Sequence, residues 1–371
     1  MLVLVDAIGA RVAGAESFAV GLAAALPRER FKVTVCASRE VIGDLPDALV
    51  DSDLGFLCLE RGRDGLKPHA FVRLARRLRR DRIDVLHAHK FGSNVWGTLL
   101  GRLCRVPVIV AHEHTWSFEG EPVRRLLDRH LVGRLASVFV AVSSVDAERM
   151  TSVEKVPPEK VVVLPTAFIP RPPGPHSDVR TELGLRASEP LLVTAAFLRP
   201  QKALDVLIDA FALALNKVPA AHLVIAGTGS CEADLRRHAV ASGVADRVHF
   251  LGVRNDVGAI LETGDVAVMS SDYEGLPLFA LECMAHRTPL VSTDVGGIRD
   301  ILEEDESVLL APPRDPHALA SQIERVLLEP ATREKLVAGA QERIAGLTID
   351  QVATRFANLY DRHLEHARGP R

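Results

Sequence analysis

The stretch that most narrows what this chain can become runs from Val266 to Gly297: V-A-V-M-S-S-D-Y-E-G-L-P-L-F-A-L-E-C-M-A-H-R-T-P-L-V-S-T-D-V-G-G. The apolar run Val266–Met269 predicts a buried strand, and Gly275-Leu276-Pro277 predicts a turn. Leu278–Ala285 then reads as a helix, and Leu290-Val291 opens a second strand that ends in Asp294 and the pair Gly296-Gly297. Strand, helix and strand so closely spaced form a βαβ unit. Two strands joined by a crossover helix run parallel, so the chain is committed to a parallel sheet with helices on its faces.

The turn and its helix carry the chemistry. Glu274 stands immediately before Gly275, and Glu282 follows eight residues later, two helical turns on if Glu274 opens the helix. A glycine lets backbone approach a ligand closely, and the unpaired N–H groups of a first helical turn suit an anion such as a phosphate. Carboxylates beside the turn and further along the helix can accept hydrogen bonds from hydroxyls. A nucleotide-sugar, with phosphates in the middle and hydroxylated rings at both ends, matches that layout. The plain alternative is an ordinary helix with two solvated glutamates.

The same pattern recurs along the chain. Leu2–Val5 reads as a strand, Asp6–Ala13 as a loop holding Gly9, and Phe18, Leu22 and Leu26 recur at helical spacing after Gly14-Ala15-Glu16. Strands follow at Phe31–Ala37, Ala136–Val142 and Val161–Leu164, the second of them leading into an S-x-x-D cap at Ser143. Asp84–His89 (D-V-L-H-A-H) and Pro107–His114 (P-V-I-V-A-H-E-H) are strands ending in histidines. Alternation puts His87 and His89 on one face. Ligands of open parallel sheets bind beyond the carboxyl ends of strands, so both histidine pairs are expected to border one cleft, with buried structural histidines as the alternative. Pro68–Arg80 predicts a helix with Phe71, Leu74 and Leu78 on one face and Arg73, Arg76, Arg77 and Arg80 on another. That stripe is either a solvated face or a contact for an anionic membrane surface or an acidic acceptor.

Pro165 to Pro175, with five prolines and a glycine, marks a linker. Beyond it the alternation resumes, with a strand at Leu191–Ala196, a helix from Lys202 to Leu215, and strands at Leu223–Ala226 and Val248–Gly252. Helices are expected near Asp315–Leu328, Thr332–Ile344 and Ile349–His363. Gly227-Thr228-Gly229 is not G-x-G-x-x-G and no acidic ribose reader follows, which excludes a nicotinamide cofactor. A chain of 371 residues allows two or three domains, and a net charge of −3 with 5% aromatics argues against a nucleic-acid partner. Five scattered cysteines without a C-x-x-C pair fit reduced thiols. The apolar start is broken by Asp6, Arg11 and Glu16 and is not a signal peptide; no run is long enough to span a membrane. The expected location is the cytoplasm, free or at the inner face of a membrane. Asp51-Ser52-Asp53 spells a D-x-D, a triad that can hold a metal, but its flanks read as loop.

E-G-L-P-L-F-A-L-E, followed by P-L-V-S-T-D-V-G-G, resembles the E-x7-E motif and second strand of glycosyltransferase family 4, a family of retaining enzymes with the GT-B fold. The likeness covers nearly the whole chain and is strongest after residue 190. It implies an α/β protein of two Rossmann-like, doubly wound parallel-sheet domains facing across a cleft. Residues 1–168 would form the acceptor-side domain, 169–348 the nucleotide-sugar domain, and 349–371 a helix crossing back to the first. Lys202, Arg199, Gly275 and the following Leu276, Pro277 and Leu278 would hold the diphosphate, Glu282 the ribose and Glu274 the donor sugar. Gly252 and Val253 would line the base pocket through their backbone. In the first domain Gly14 would approach the donor, and His89 would lie near its sugar; Glu274, His89 and Lys202 are the expected catalytic residues. The donor would be a UDP-, GDP- or ADP-sugar, the acceptor a glycan, a lipid-linked sugar or a small molecule, with no metal and no cofactor.

The chain departs from the family in F-L-R-P-Q-K-A, where the family reads G-R-L-x-x-x-K-G: Phe197 takes the place of an arginine and Ala203 that of a glycine. One lost charge-assisted hydrogen bond costs about 1.5–3 kcal/mol, roughly one to two decades in affinity or rate. Two further readings follow. One is a nucleotide-sugar-binding protein with little or no turnover; the other is a metal-dependent hydrolase using His87, His89, His112 and His114.

Overall fold

Leu2-Val3-Leu4-Val5 places two sets of apolar side chains on opposite sides of one strand, and both sets are buried. A strand covered on both faces belongs to a sheet with helices above and below it. The computed structural model describes residues 1–9, 14–50, 52–60, 68–114, 121–170 and 178–368. Its chain separates into two compact units, Met1–Ile169 with Leu347–Arg371, and Pro170–Gly346.

In the first unit β1 (Leu2–Ile8), β2 (Thr34–Val41), β3 (Gly55–Cys58), β4 (Val85–His89), β5 (Val108–Glu113), β6 (Val138–Ala141) and β7 (Val161–Val163) form one parallel sheet in the order β3-β2-β1-β4-β5-β6-β7. On one face Val3, Val5, Val110 and Val140 pack with Phe18 and Leu22 of the helix Ala15–Ala25 and with Phe356 and Tyr360 of the closing helix Ile349–Arg368. On the other face Leu2, Leu4, Leu86 and Ile109 pack against Leu74 and Leu78 of the helix Pro68–Arg80. The chain returns to this unit through a hydrogen bond from the Phe168 N–H to the Leu347 carbonyl, 2.9 Å.

In the second unit β8 (Leu191–Ala195), β9 (His222–Ala226), β10 (Val248–Gly252), β11 (Val266–Met269), β12 (Leu290–Thr293) and β13 (Leu309–Ala311) form a parallel sheet in the order β10-β9-β8-β11-β12-β13. Both sheets reverse their strand order once, between β1 and β4 and between β8 and β11. Crossovers leave in opposite directions at such a point, which opens a crevice beyond the carboxyl ends of the two strands.

Several boundaries differ from the expectations. β1 runs on through Asp6 to Ile8 because it keeps pairing with β2 past a register shift. β2 begins at Thr34, after Phe31 and Val33 have already entered the core. The helix expected from Lys202 starts at Leu204, since Pro200–Lys202 winds as a tight 3₁₀ turn. The helix after Gly275 begins at Leu278, so Glu274 lies outside it and Glu282 sits little more than one turn in. The closing helix extends to Arg368. Asp51 of the D-x-D, Ala13 and the linker residues 171–177 lie outside the described residues. No described helix is long and apolar enough to cross a membrane.

Candidate active site

In the second unit the site grows from the loops that leave β8 and β11, neighbours at the reversal. Gly296, just after β12, has φ +56, and a Cβ there would lie 2.2 Å from the Glu274 carbonyl oxygen. Only glycine permits that approach. It lets the Gly297 N–H donate to the Gly275 carbonyl at 2.7 Å, which pins the turn carrying Glu274. From the other side Gln201 Nε2 donates to the Tyr273 carbonyl (2.8 Å), and the Asp272 N–H donates to the Gln201 carbonyl (2.9 Å). The Ser270 hydroxyl donates to the Lys202 carbonyl at 2.9 Å. The loops after β8 and β11 are thus laced together before any ligand is considered.

The lacing brings Lys202 and Glu274 into contact. Lys202 Nζ donates to Glu274 Oε1 at 2.6 Å, and the Ser271 hydroxyl donates to the same oxygen at 2.7 Å. The side chains are 25% and 9% exposed, so the pair has an open ammonium and a largely covered carboxylate. Next to it, Pro277 precedes a helix that no described side chain caps. The N–H groups of Leu278 and Phe279 have no intrahelical acceptor, and the positive end of the helix favours an anion there. Leu276 and Pro277 are buried; Leu278 and Glu282 are half-buried.

Phe197 is exposed, and the guanidinium of Arg199 lies over its ring at 5.2 Å from the centroid. The aromatic ring in the arginine position therefore props a neighbouring arginine. Ala203 takes φ 44 and ψ 44, a left-handed conformation in which glycine is the easier residue. On β10 Gly252 also has a positive φ and accepts from the Gly227 N–H at 2.7 Å, while Val253 is exposed. Ser271, Gln201 and Arg314 escaped the sequence analysis. Arg314 ties the two loops together by reaching Asp205 at 3.1 Å and pairing with Asp272. Nothing in the sequence signals it, because it arrives from the far end of the unit.

In the first unit Gly14, with φ 81, is the residue before the helix Ala15–Ala25, and no described side chain caps that helix either. At the carboxyl ends of β4 and β5, whose register sets His87 beside Val110 and His89 beside His112, four imidazoles come together. His87 Nδ1 pairs with the Tyr360 hydroxyl (2.7 Å) and its Nε2 with His112 Nδ1 (3.2 Å), while His89 Nδ1 pairs with His114 Nε2 (2.9 Å). Burial holds all four neutral: it pushes His87, His112 and His114 well below the ordinary imidazole value, and burial with Lys90 nearby lowers His89 to about 3. One nitrogen from each of His87, His89 and His112 lies within 4.8 Å of the others, a spacing that a metal could use. Both nitrogens of His87 are already engaged in hydrogen bonds, so ligation would first have to break the network. His89 Nε2 is buried and has no hydrogen-bond partner among the described residues.

Comparison with known proteins identifies the family. The family described as "Glycosyltransferase Family 4" matches residues 12–169, and "Glycosyl transferases group 1" matches residues 189–329. The chain is 31% identical to a D-inositol 3-phosphate glycosyltransferase of Thermomonospora curvata over 75% of its own length and 71% of the relative's. It is 28% identical to an alpha-D-kanosaminyltransferase of Streptomyces kanamyceticus, over 78% and 80% of the two chains. Among solved structures it superposes on Anabaena HepE in complex with UDP with a TM-score of 0.81, at 19% identity over 98% of this chain and 100% of that one. A crystal structure of WaaG, a glycosyltransferase involved in lipopolysaccharide biosynthesis, follows at a TM-score of 0.74 and 14% identity over 97% and 99%.

Proposed function

The chain belongs to glycosyltransferase family 4 and has its GT-B fold, and from that premise we propose that it moves a sugar from a nucleoside diphosphate sugar to an acceptor hydroxyl, retaining the anomeric configuration and needing no metal. The observation that carries the donor assignment is the Lys202–Glu274 pair, held at 2.6 Å beside an uncapped helix start. On this reading the diphosphate takes Lys202, Arg199 and the N–H groups after Gly275. Glu274 and Glu282 accept from hydroxyls of the donor sugar and the ribose, and the Gly252-Val253 backbone meets the base. The first unit carries the acceptor, with Gly14 and His89 at the carboxyl edge of its own sheet.

The reaction breaks the bond between the anomeric carbon and the phosphate oxygen while the acceptor oxygen bonds to the same face. The acceptor proton passes to the departing phosphate. Positive charge from Lys202 and the helix start stabilises that phosphate, in the way preorganised donors stabilise developing charge elsewhere. A covalent route needs a carboxylate on the opposite face of the sugar, and no residue is assigned that role.

The test begins with thermal shift against UDP-, GDP- and ADP-sugars, since a ligand of the native state raises its apparent stability. A uridine donor is tried first, because the structural neighbour HepE holds UDP. The donor that shifts the melt is then incubated with an acceptor panel in EDTA, and the product anomer is read by proton NMR. Retention with undiminished turnover is expected. An inverted product, or loss of activity in EDTA, overturns the mechanism; binding without transfer or donor hydrolysis favours the non-catalytic reading.

A further inference from the structure

The strands of the first unit begin far from the histidines. Across β4 alone, from Val85 to His89, the two sheet edges lie about 13 Å apart at a rise of ~3.3 Å per residue. At the amino edge, where β1, β2 and β4 start, there is a groove of about 830 Å³. Its walls carry Arg30, Lys32, Arg77, Arg80, Arg82 and Arg368, drawn from three separate segments of the chain.

Three carboxylates share that space and do not balance it. Asp81 is taken by both Arg77 and Arg80, which hold it below the usual carboxylate range; Asp361 pairs with Arg30, and Asp84 stands 3.8 Å from Arg368. Lys32 and Arg82 are exposed and form no ion pair with any described residue. Arg82 also has φ 46. It sits just past the helix Pro68–Arg80, where a left-handed residue commonly closes the last turn and glycine is the easy choice. A long cationic side chain occupies that position against the preference of the backbone. The surrounding charge agrees: the first unit has 28 Lys and Arg against 23 Asp and Glu, a net +5, in a chain whose total is −3.

We infer that this groove binds a phosphate anion, presented by a lipid headgroup or by a free phosphorylated molecule. Guanidinium forks converging from several segments match the oxygens of a phosphate. Exposed ion pairs such as Arg80–Asp81 contribute little, so they exchange readily for a stronger acceptor, and Lys32 and Arg82 have no pair to break. The site is separate from the one assigned to the donor, and the inference stands whether or not that assignment does.

The test compares the full-length protein with the double variant Lys32→Gln/Arg82→Gly, which removes both unpaired cations and puts glycine where the backbone favours it. Inositol hexakisphosphate, titrated calorimetrically, probes a free ligand. Co-sedimentation with phosphatidylcholine vesicles, with and without phosphatidic acid, probes a headgroup. The wild type is expected to bind at least one probe, and the double variant to bind it at least about tenfold more weakly, while Lys202→Ala changes nothing at the groove. Binding to phosphatidic acid vesicles alone identifies a lipid, and binding to the soluble probe alone identifies a free ligand. If neither probe binds, or the double variant binds as the wild type does, the inference is overturned. Loss of glycosyl transfer in Lys202→Ala with the groove intact reports separately on the donor site.

Discussion

The two parallel sheets place different chemistry at the centre of their carboxyl edges. In the first, four neutral imidazoles share hydrogen bonds with one another and with the Tyr360 hydroxyl, beside the buried Glu113–Arg124 ion pair. At the same edge of the second, polarity comes as a charged pair, with an ammonium and a carboxylate sharing one contact. Net charge follows a different division, +5 for the first unit and −8 for the second. One fold principle therefore allows two ways of placing polar atoms beyond strand ends. Neutral burial makes a site depend on pH, because a proton taken up there must be desolvated. Pairing makes a site depend on its partner, because removing one charge strands the other.

Acid is the strongest way to separate them. The folded values of His87, His89, His112 and His114 all lie below the unfolded value of 6.5. Their contribution to stability is complete above pH 6.5 and is lost as the pH falls toward the folded values, about 3 for His89. For His89 alone the amount at stake is on the order of 5 kcal/mol. Asp128 works the other way. Burial near Glu154 and Glu113 raises it to about 8, so it costs stability as the pH rises from 3.8 to 8 and returns on the order of 4 kcal/mol as the pH falls from 6.5 to 3.8, one group offsetting part of what four lose. The first unit should unfold between pH 6.5 and 3, ahead of the second. Trp96 and Trp116 both belong to the first unit and residues 170–346 contain no tryptophan, so fluorescence reports on the first unit alone while far-UV circular dichroism reports on both. Coincident transitions by the two probes would remove the distinction.

The next largest effect is on the charged pair. Lys202→Ala should lower kcat/KM for the donor by about 10²–10³-fold, the scale of losing one preorganised donor. It also leaves Glu274 with Ser271 as its remaining described partner, at an expected cost of about 1–2 kcal/mol to the second unit. Adding Glu274→Gln should restore most of that stability and none of the activity. A double variant that melts as low as the single one would show that the pair does not act as a unit.

How much of this could be read in the sequence depends on where the information sits. The turn at Gly275, the helix Leu278–Ala285 and the strands β10 and β11 were legible because apolar periodicity and punctuation agree there. The helix Phe91–Leu103 was not. Its three glycines interrupt any helical pattern, yet a Cβ at Gly97 would lie 3.0 Å from that of Ala88, and one at Gly101 would lie 2.9 Å from Ile109; tertiary packing overrides local preference. β3 and β13 are edge strands of four and three residues, too short for a periodic signal. In the site, Lys202 and Glu274 were expected from separate motifs, but their contact depends on which strands are neighbours. Arg314, 42 residues from Asp272, has no local signature at all.

The smallest effect compares one position in each unit, the residue preceding a helix at the carboxyl edge. Gly14 has φ 81 and ψ −129, a conformation open chiefly to glycine, and a Cβ there would touch no described residue. Gly14→Ala should therefore cost about 1–3 kcal/mol through the backbone alone. Ala203 has φ 44 and ψ 44 and is 1% exposed. Ala203→Gly relieves about 1–2 kcal/mol of left-handed strain. Against this it loses about 0.8 kcal/mol of methyl burial and frees the unfolded chain by about 0.4–1 kcal/mol. These terms nearly cancel, so the change should stay within about 1 kcal/mol of neutral. Ala210, buried in the helix Leu204–Ala214, is the control: its change to glycine loses the same burial with no strain to relieve, at about 2 kcal/mol. Urea unfolding followed by circular dichroism measures all three. Equal losses at Ala203 and Ala210 would mean that Ala203 is not left-handed, and that the loop presenting Lys202 follows another path.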